Sequence, residues 1–365
     1  MSTRRRIYSS GALCAISCAL SCTVLGTLPS IASAQAGGAP VNDTAEPASD
    51  LTPALDAAVS RGLTYLANAQ DADGSFDGGR FGKNVAITAL SCLAFMADGN
   101  LPGRGRYGDH VERGLDFILE NCTESGLIAA DDANGPMYGH GFATLFLGEI
   151  YGMTRGGNDT EKSARLHEAL VRAVRLIERT QNDEGGWRYN PVPYDADVSV
   201  TICQVMALRS ARDAGIEVDK GVIDRAVDYA RRCQNPDGGF RYQADGGSSA
   251  WPRSAAGVAI LYYSGIYEDT TIKSGLSYLD RTASPEATRG SRAHYAYGQY
   301  YTAQAMFLAG GEHWAGWWGP SRDEVLSEQM DDGSWDDRTA GPNYGTAMML
   351  IVLQIPKRSL PIYQK

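Results

Sequence analysis

Positive charge is scarce in this chain. Its 365 residues carry 33 Lys and Arg against 43 Asp and Glu, a formal net charge of -10, and that balance opposes binding to the phosphate backbone of nucleic acids. Anionic lipid headgroups are disfavoured on the same ground unless a local basic site overcomes the overall field. Histidine is rarer still, at five residues, and phenylalanine stops at eight while tyrosine reaches 19. The aromatic surface is therefore largely phenolic and, where buried, must find hydrogen-bond partners. Past Leu28 no apolar run is long enough to cross a bilayer. With 43% hydrophobic and 21% charged residues, the chain fits a globular protein and excludes disordered and fibrous classes.

The exception to the missing basic runs is Arg4-Arg5-Arg6, followed by apolar residues from Ala12 to Leu28 and by Ala32-Ser33-Ala34. Residues 1–34 therefore read as a secretory signal, cleaved after Ala34, and residues 35–52, small, polar and bearing Pro and Gly, as a flexible leader. The expected location is secreted or periplasmic. Ala19-Leu20-Ser21 before Cys22 is a poor lipid-anchor box. Loss of the three arginines takes the formal charge from -10 to -13. Four cysteines stay behind: Cys92, Cys122, Cys203 and Cys233. An oxidising compartment favours pairing them, but each first member lies two turns inside a helix and its mate at the far foot of the next. That is an axial offset of about 9 to 12 Å at 1.5 Å per residue. Such sulfurs cannot be bridged.

One phrase is written four times, at Gln70–Phe76, Gln181–Trp187, Gln234–Phe240 and Gln329–Trp335, in steps of 111, 53 and 95 residues. A unit of roughly 50 residues with two eroded copies fits the span; Asn121–Leu127 is one worn copy, and the other falls near Arg281–Thr288. Each unit reads as an amphipathic helix, the Gln-Gly-aromatic turn, and a second helix apolar nearly all round. In the first type Leu166, Leu170, Val174 and Ile177 step at three or four residues. In the second, Val85 to Ala97 leaves no polar face, so other helices must wrap it. Six such pairs predict an all-α (α/α)6 toroid over residues 53–356, with parallel inner helices around a central cavity and residues 357–365 as a C-terminal tail. The turn Gly is expected in the left-handed conformation, and the Gln amide within reach of helix-end carbonyls. The run from Gly310 to Trp318 is expected as a connector at the far end of the ring.

The turns resemble the QW-type repeats of squalene and oxidosqualene cyclases and of protein prenyltransferase β-subunits. The resemblance covers about residues 53–356 and implies the toroid with a cavity opening at one end. Class II cyclases of that superfamily protonate an alkene or epoxide with the middle acid of an Asp-x-Asp-Asp motif. Its nearest match is Asp195-Ala196-Asp197-Val198, which makes Asp197, with Asp195, the candidate acid. Val198 stands where the last Asp belongs, which puts the tuning of a strongly acidic carboxylic acid in doubt. Asp197 is also a good N-cap for Val198-Ser199-Val200-Thr201-Ile202. The zinc triad of prenyltransferases is not matched, because Trp251-Pro252-Arg253-Ser254 contains neither Asp nor Cys. No metal and no cofactor is assigned.

Parallel inner helices would gather their first residues at one rim. His140, Tyr138, Trp251, Arg253, His294, Tyr295, Tyr297 and Tyr344 are the candidate ligand-binding residues there, and His294–Tyr301 is the densest local feature. At the positive ends of helices they could hold a polar group; they could equally be caps and core tyrosines. The leading reading is a terpene cyclase- or prenyltransferase-like toroid holding an apolar or isoprenoid-like small molecule. The alternatives are a non-catalytic binding or scaffold domain with an envelope-protein partner, and a carbohydrate-processing α/α enzyme. Against the last, Asp195 and Asp197 are too close in sequence to oppose each other across a bond.

Overall fold

The computed structural model describes residues 50–130, 135–154, 160–289 and 293–364. The chain divides into Met1–Asp43 and Thr44–Lys365, and all the described residues belong to the second unit. The proposed signal and nearly all of the leader lie outside them. Amphipathic helices α1 (Pro53–Ala69), α3 (Gly108–Glu120), α5 (Thr160–Thr180), α7 (Lys220–Arg232), α9 (Thr270–Thr282) and α12 (Gly311–Ser327) form a sheath. Each precedes an inner helix: α2 (Val85–Ala97), α4 (Met137–Met153), α6 (Val198–Asp213), α8 (Trp251–Tyr263), α11 (Tyr295–Ala309) and α13 (Gly341–Gln354). A one-turn helix, α10 (Pro285–Thr288), interrupts the fifth pair, where the repeated phrase has eroded. The inner helices pack in the order α2, α4, α6, α8, α11, α13 and back to α2. The six hairpins close a ring.

Composition dictates which helix goes inside. Every residue of α2 except Ala86 is buried, as an all-apolar helix requires, whereas α5 buries Leu166, Leu170, Val174 and Ile177 on one stripe and turns its charges outward. The run expected as a connector is instead the start of α12. Trp314, Trp317 and Trp318 stand three and four residues apart, which makes an apolar helical stripe, and all three are buried. Among the described residues no helix is long and apolar enough to cross a membrane.

The repeated phrase is a clamp between neighbouring hairpins. Gln70 Nε2 donates to Gly74 O of its own turn (3.0 Å) and to His110 O at the head of α3 (2.9 Å). Gln181 does the same to Gly185 O and Val222 O of α7, both at 2.8 Å, and Gln234 to Gly238 O and Thr271 O of α9. Gln329 reaches Gly333 O and, at 2.8 Å, Ala58 O of α1. The last turn thus grips the first helix. The turn glycine is obligatory on two counts. Gly185 has φ +93°, and a Cβ there would sit 2.2 Å from Arg225 O in α7. The aromatic N–H is then satisfied by a hydroxyl one turn into the inner helix: Phe76 by Thr88, Trp187 by Thr201, Phe240 by Ser254 and Trp335 by Thr346.

The far end of the ring is not an open hole. Of residues 357–365, expected as a tail, the described ones, 357–364, turn back under the inner helices; Leu360, Ile362 and Tyr363 are buried, and Pro361–Tyr363 forms a 3-10 turn against α4 and α6. All four described cysteines are free, with different neighbours: Cys203 Sγ lies 3.4 Å from the Tyr301 hydroxyl, and Cys122 Sγ donates to Ile118 O.

Candidate functional site

The starts of α2, α4, α11 and α13 surround a cavity of about 520 Å³. Six aromatic side chains line it: Phe81 from the turn before α2, Tyr138 and Phe142 of α4, Tyr189 from the turn before α6, Tyr297 of α11 and Tyr344 of α13. Ile87, Ala86 and Ala340 add aliphatic surface, and Arg80, Asn84, His294, Asp337 and Thr339 supply polar groups. Arg80 stacks on Phe81, with Cζ 4.6 Å from the ring centre. Asp337 accepts from Thr339 N (2.8 Å) and Ala340 N (3.0 Å), which ties down the approach to α13. His294 is exposed and holds a left-handed backbone, φ +57°, a conformation uncommon outside glycine. The Tyr297 hydroxyl is buried and approaches the Ser199 side chain of α6. Two further hollows, of about 580 and 670 Å³, lie on the sheath beside α7, and the first holds paired charges such as Lys220 with Asp224.

Behind the Tyr138 and Tyr189 wall lies a polar cluster. Asp197 is fully buried and caps α6, its Oδ1 accepting from Val200 N at 2.9 Å, as the capping reading expects. Its Oδ2 faces Arg188 Nε at 3.6 Å. Burial pushes the carboxyl up to about 6, against the pull of the Val200 amide, the Tyr242 hydroxyl and Arg188. Arg188 is held between the rings of Tyr189 and Tyr242, 5.1 and 5.7 Å from their centres, and pairs with Asp195. The hydroxyls of Tyr189 and Tyr242 are hydrogen-bonded to each other. Burial, joined by the facing charge of Asp197, holds the Tyr138 phenol well above its ordinary value.

Of the expected rim residues, Tyr138, His294, Tyr297 and Tyr344 meet in the cavity. Asp195 and Asp197 stand one layer behind it. Four others are elsewhere. His140 does not reach the mouth: it is buried, its Nδ1 accepts from Ile128 N at 3.2 Å, and Nε2 faces Ala173 O at 3.3 Å. It takes the place that Thr88, Thr201, Ser254 and Thr346 take in the other hairpins, which fixes the Nε2–H tautomer, and burial lowers it to about 4. Trp251 packs between α8 and α11 with Nε1 on Thr302 Oγ1. Arg253 braces its own turn through Phe240 O and Ser248 O, and Tyr295 points outward to Glu324 of α12. Sequence reasoning missed Arg80, Phe81, Phe142, Tyr189 and Asp337. A signal existed for two of them: Tyr189 and Asp337 stand two residues after the turn's Trp, where an extended chain returns to the same face. Among the described residues no group of three or more His, Cys, Asp or Glu could hold a metal.

No family model matches the chain. It is 25% identical over 231 residues to the drimenyl diphosphate synthase of Streptomyces showdoensis, a match that spans 63% of this chain but only 39% of that enzyme. Its structure superposes on a variant of the type II terpene cyclase MstE from Scytonema, solved with geranylgeranyl dihydroxybenzoate, with a TM-score of 0.56 and 13% identity over 84% of this chain and 98% of the other. The fold is the terpene-cyclase toroid. The cellobiose 2-epimerase of Bacillus thermoamylovorans shares it as well, with a TM-score of 0.61 and 14% identity over 83% and 99% of the two chains. The toroid alone therefore does not choose between an isoprenoid and a sugar.

Proposed function

We propose that this toroid takes an isoprenoid-like ligand into its mouth cavity, and that Asp197 is the acid of any chemistry performed there. The observation that carries the first part is the cavity itself: six aromatic side chains line it, and Asp337 is the single carboxylate among its described lining residues. Aromatic faces suit a branched hydrocarbon and any positive charge that develops along it. Sugar cleavage instead needs two carboxyls across the scissile bond. The likeness to the diphosphate synthase and to a cyclase seen with a geranylgeranyl substrate supports the reading. For the second part, a carboxyl that keeps its proton to about pH 6, with one oxygen occupied as a cap and the other facing Arg188, is a proton source next to the phenol wall. Export through residues 1–34 belongs to the same proposal, and a mature chain whose intact mass begins at Gln35 checks it.

Native mass spectrometry of the purified chain with geranylgeraniol, cellobiose and buffer alone tests the ligand class. Retention of the alcohol is expected. Retention of the sugar alone overturns the reading in favour of the carbohydrate alternative, and an empty ring in all three favours the scaffold alternative.

A further inference from the structure

The floor of the cavity belongs to a column of aromatic rings that runs down the ring axis and ends in the chain's own C-terminal segment. Phe142 lines the cavity, and its ring meets Tyr300 edge-on at 6.1 Å. Tyr300 packs against Tyr301 at 4.9 Å, and the hydroxyls of Tyr363 and Tyr300 approach each other. The segment that delivers Tyr363 is anchored at each step. Gln354 Nε2 donates to Ala94 O of α2, Lys357 pairs with Asp98 at 2.8 Å, and Arg358 covers the Phe307 ring of α11 at 5.2 Å. Ile362 N then donates to Glu149 Oε2 at 3.1 Å, and Ser210 of α6 donates to the other oxygen at 2.6 Å. Glu149 is buried in the wall of α4, an expensive place for a carboxyl unless something is fastened to it. The segment therefore crosses the far opening from α2 and α11 to α4 and α6.

We propose that Leu360–Tyr363 is the stopper of the ring, and that Tyr363, by backing Tyr300 against Phe142, limits the length of ligand that the mouth cavity accepts. The length limit rests on the ligand reading given above; the stopper does not. Tyr363 touches no ligand and acts as a positioning residue. With it in place, Tyr300 and Phe142 have no space to swing down, since packed interiors leave no room for a ring to move. Without it the cavity deepens toward the far end.

Two readouts separate the parts. The first is binding of farnesol, geranylgeraniol and geranylfarnesol to the whole chain and to Tyr363→Ala, with Tyr363→Leu as the milder variant should the alanine form fail to fold. Either variant is expected to shift the affinity ratio toward the longer alcohols by about tenfold or more, the discrimination that even one methylene commands in an apolar pocket. The second needs no ligand. Cys203 is buried beside Tyr301, the ring that packs on Tyr300, so its labelling by methyl methanethiosulfonate, located by peptide mass spectrometry, should be about tenfold faster in the variants. A folded Tyr363 variant with unchanged chain-length preference and unchanged Cys203 labelling overturns the proposal. If no alcohol binds any form, the length limit falls together with the ligand reading. Faster Cys203 labelling then still upholds the stopper, and unchanged labelling removes it.

Discussion

The substitution Asp197→Asn separates the two roles of that side chain. Asparagine caps a helix as well as aspartate does, so the bond to Val200 N survives, while the proton and the charge are lost. The magnitude follows from the carboxyl's being raised from its ordinary 3.8 to about 6. A raised carboxyl gives stability that is whole below the unfolded value and is lost as pH climbs to the folded one. Here the loss lies between about pH 4 and pH 6 and amounts to about 3 kcal/mol. The substituted amide has no such proton to lose, so this part of the slope should vanish, and at pH 8 the variant should match or exceed the native chain by up to about 3 kcal/mol. Asp197→Ala, which also gives up the cap, should fall about 1 kcal/mol below the asparagine variant. Urea unfolding at pH 4, 6 and 8 reads all three. The same asparagine variant should retain a bound isoprenoid yet form no cyclised product by gas chromatography. A variant that keeps the native pH slope refutes the account of the buried carboxyl. One that keeps product formation refutes Asp197 as the acid.

His140 tests the equivalence of the hairpins. Its value is lowered from the ordinary 6.5 to about 4, so the stability it lends is complete above pH 6.5 and is lost as pH falls toward 4, by about 3 kcal/mol; His140→Thr, which installs the group used by the sister hairpins, should flatten that acid limb in urea titrations. Gln329→Ala removes three hydrogen bonds, those it donates to Ala58 O and Gly333 O and the one its Oε1 accepts from Arg61, and with them the grip of the last turn on α1. A loss of about 1 to 3 kcal/mol in calorimetry is expected, and an unchanged midpoint would mean that the turn does not hold the ring shut.

The architecture was largely written in the sequence because the turn repeats. Gln, Gly and the aromatic have one physical job each, and each job recurs in four hairpins. The ring mouth was only half legible. Tyr138, Tyr297 and Tyr344 could be placed by counting to the start of an inner helix, but the same count sent His140, Trp251 and Tyr295 to the mouth as well. At a helix start, neighbouring residues differ in direction by about 100°, so a one-residue difference decides whether a side chain meets the cavity, the next helix or the sheath. His140 was further disguised because an imidazole had replaced the usual hydroxyl. Phe81 and Arg80 come from an irregular turn with no period to read. The C-terminal stopper was hidden for another reason: nothing in Leu360-Pro361-Ile362-Tyr363 announces that its partner is Glu149, more than 200 positions earlier.

The grip of Gln329 on Ala58 has one more consequence. An open array of repeats has two outermost members, and those can fray one after another while the middle stands. Here every hairpin is flanked on both sides, so no unit is outermost and there is no place for unravelling to begin. Melting such a necklace means first breaking a link between two units that are each still held elsewhere, and the strain of that first rupture is borne by the whole circle.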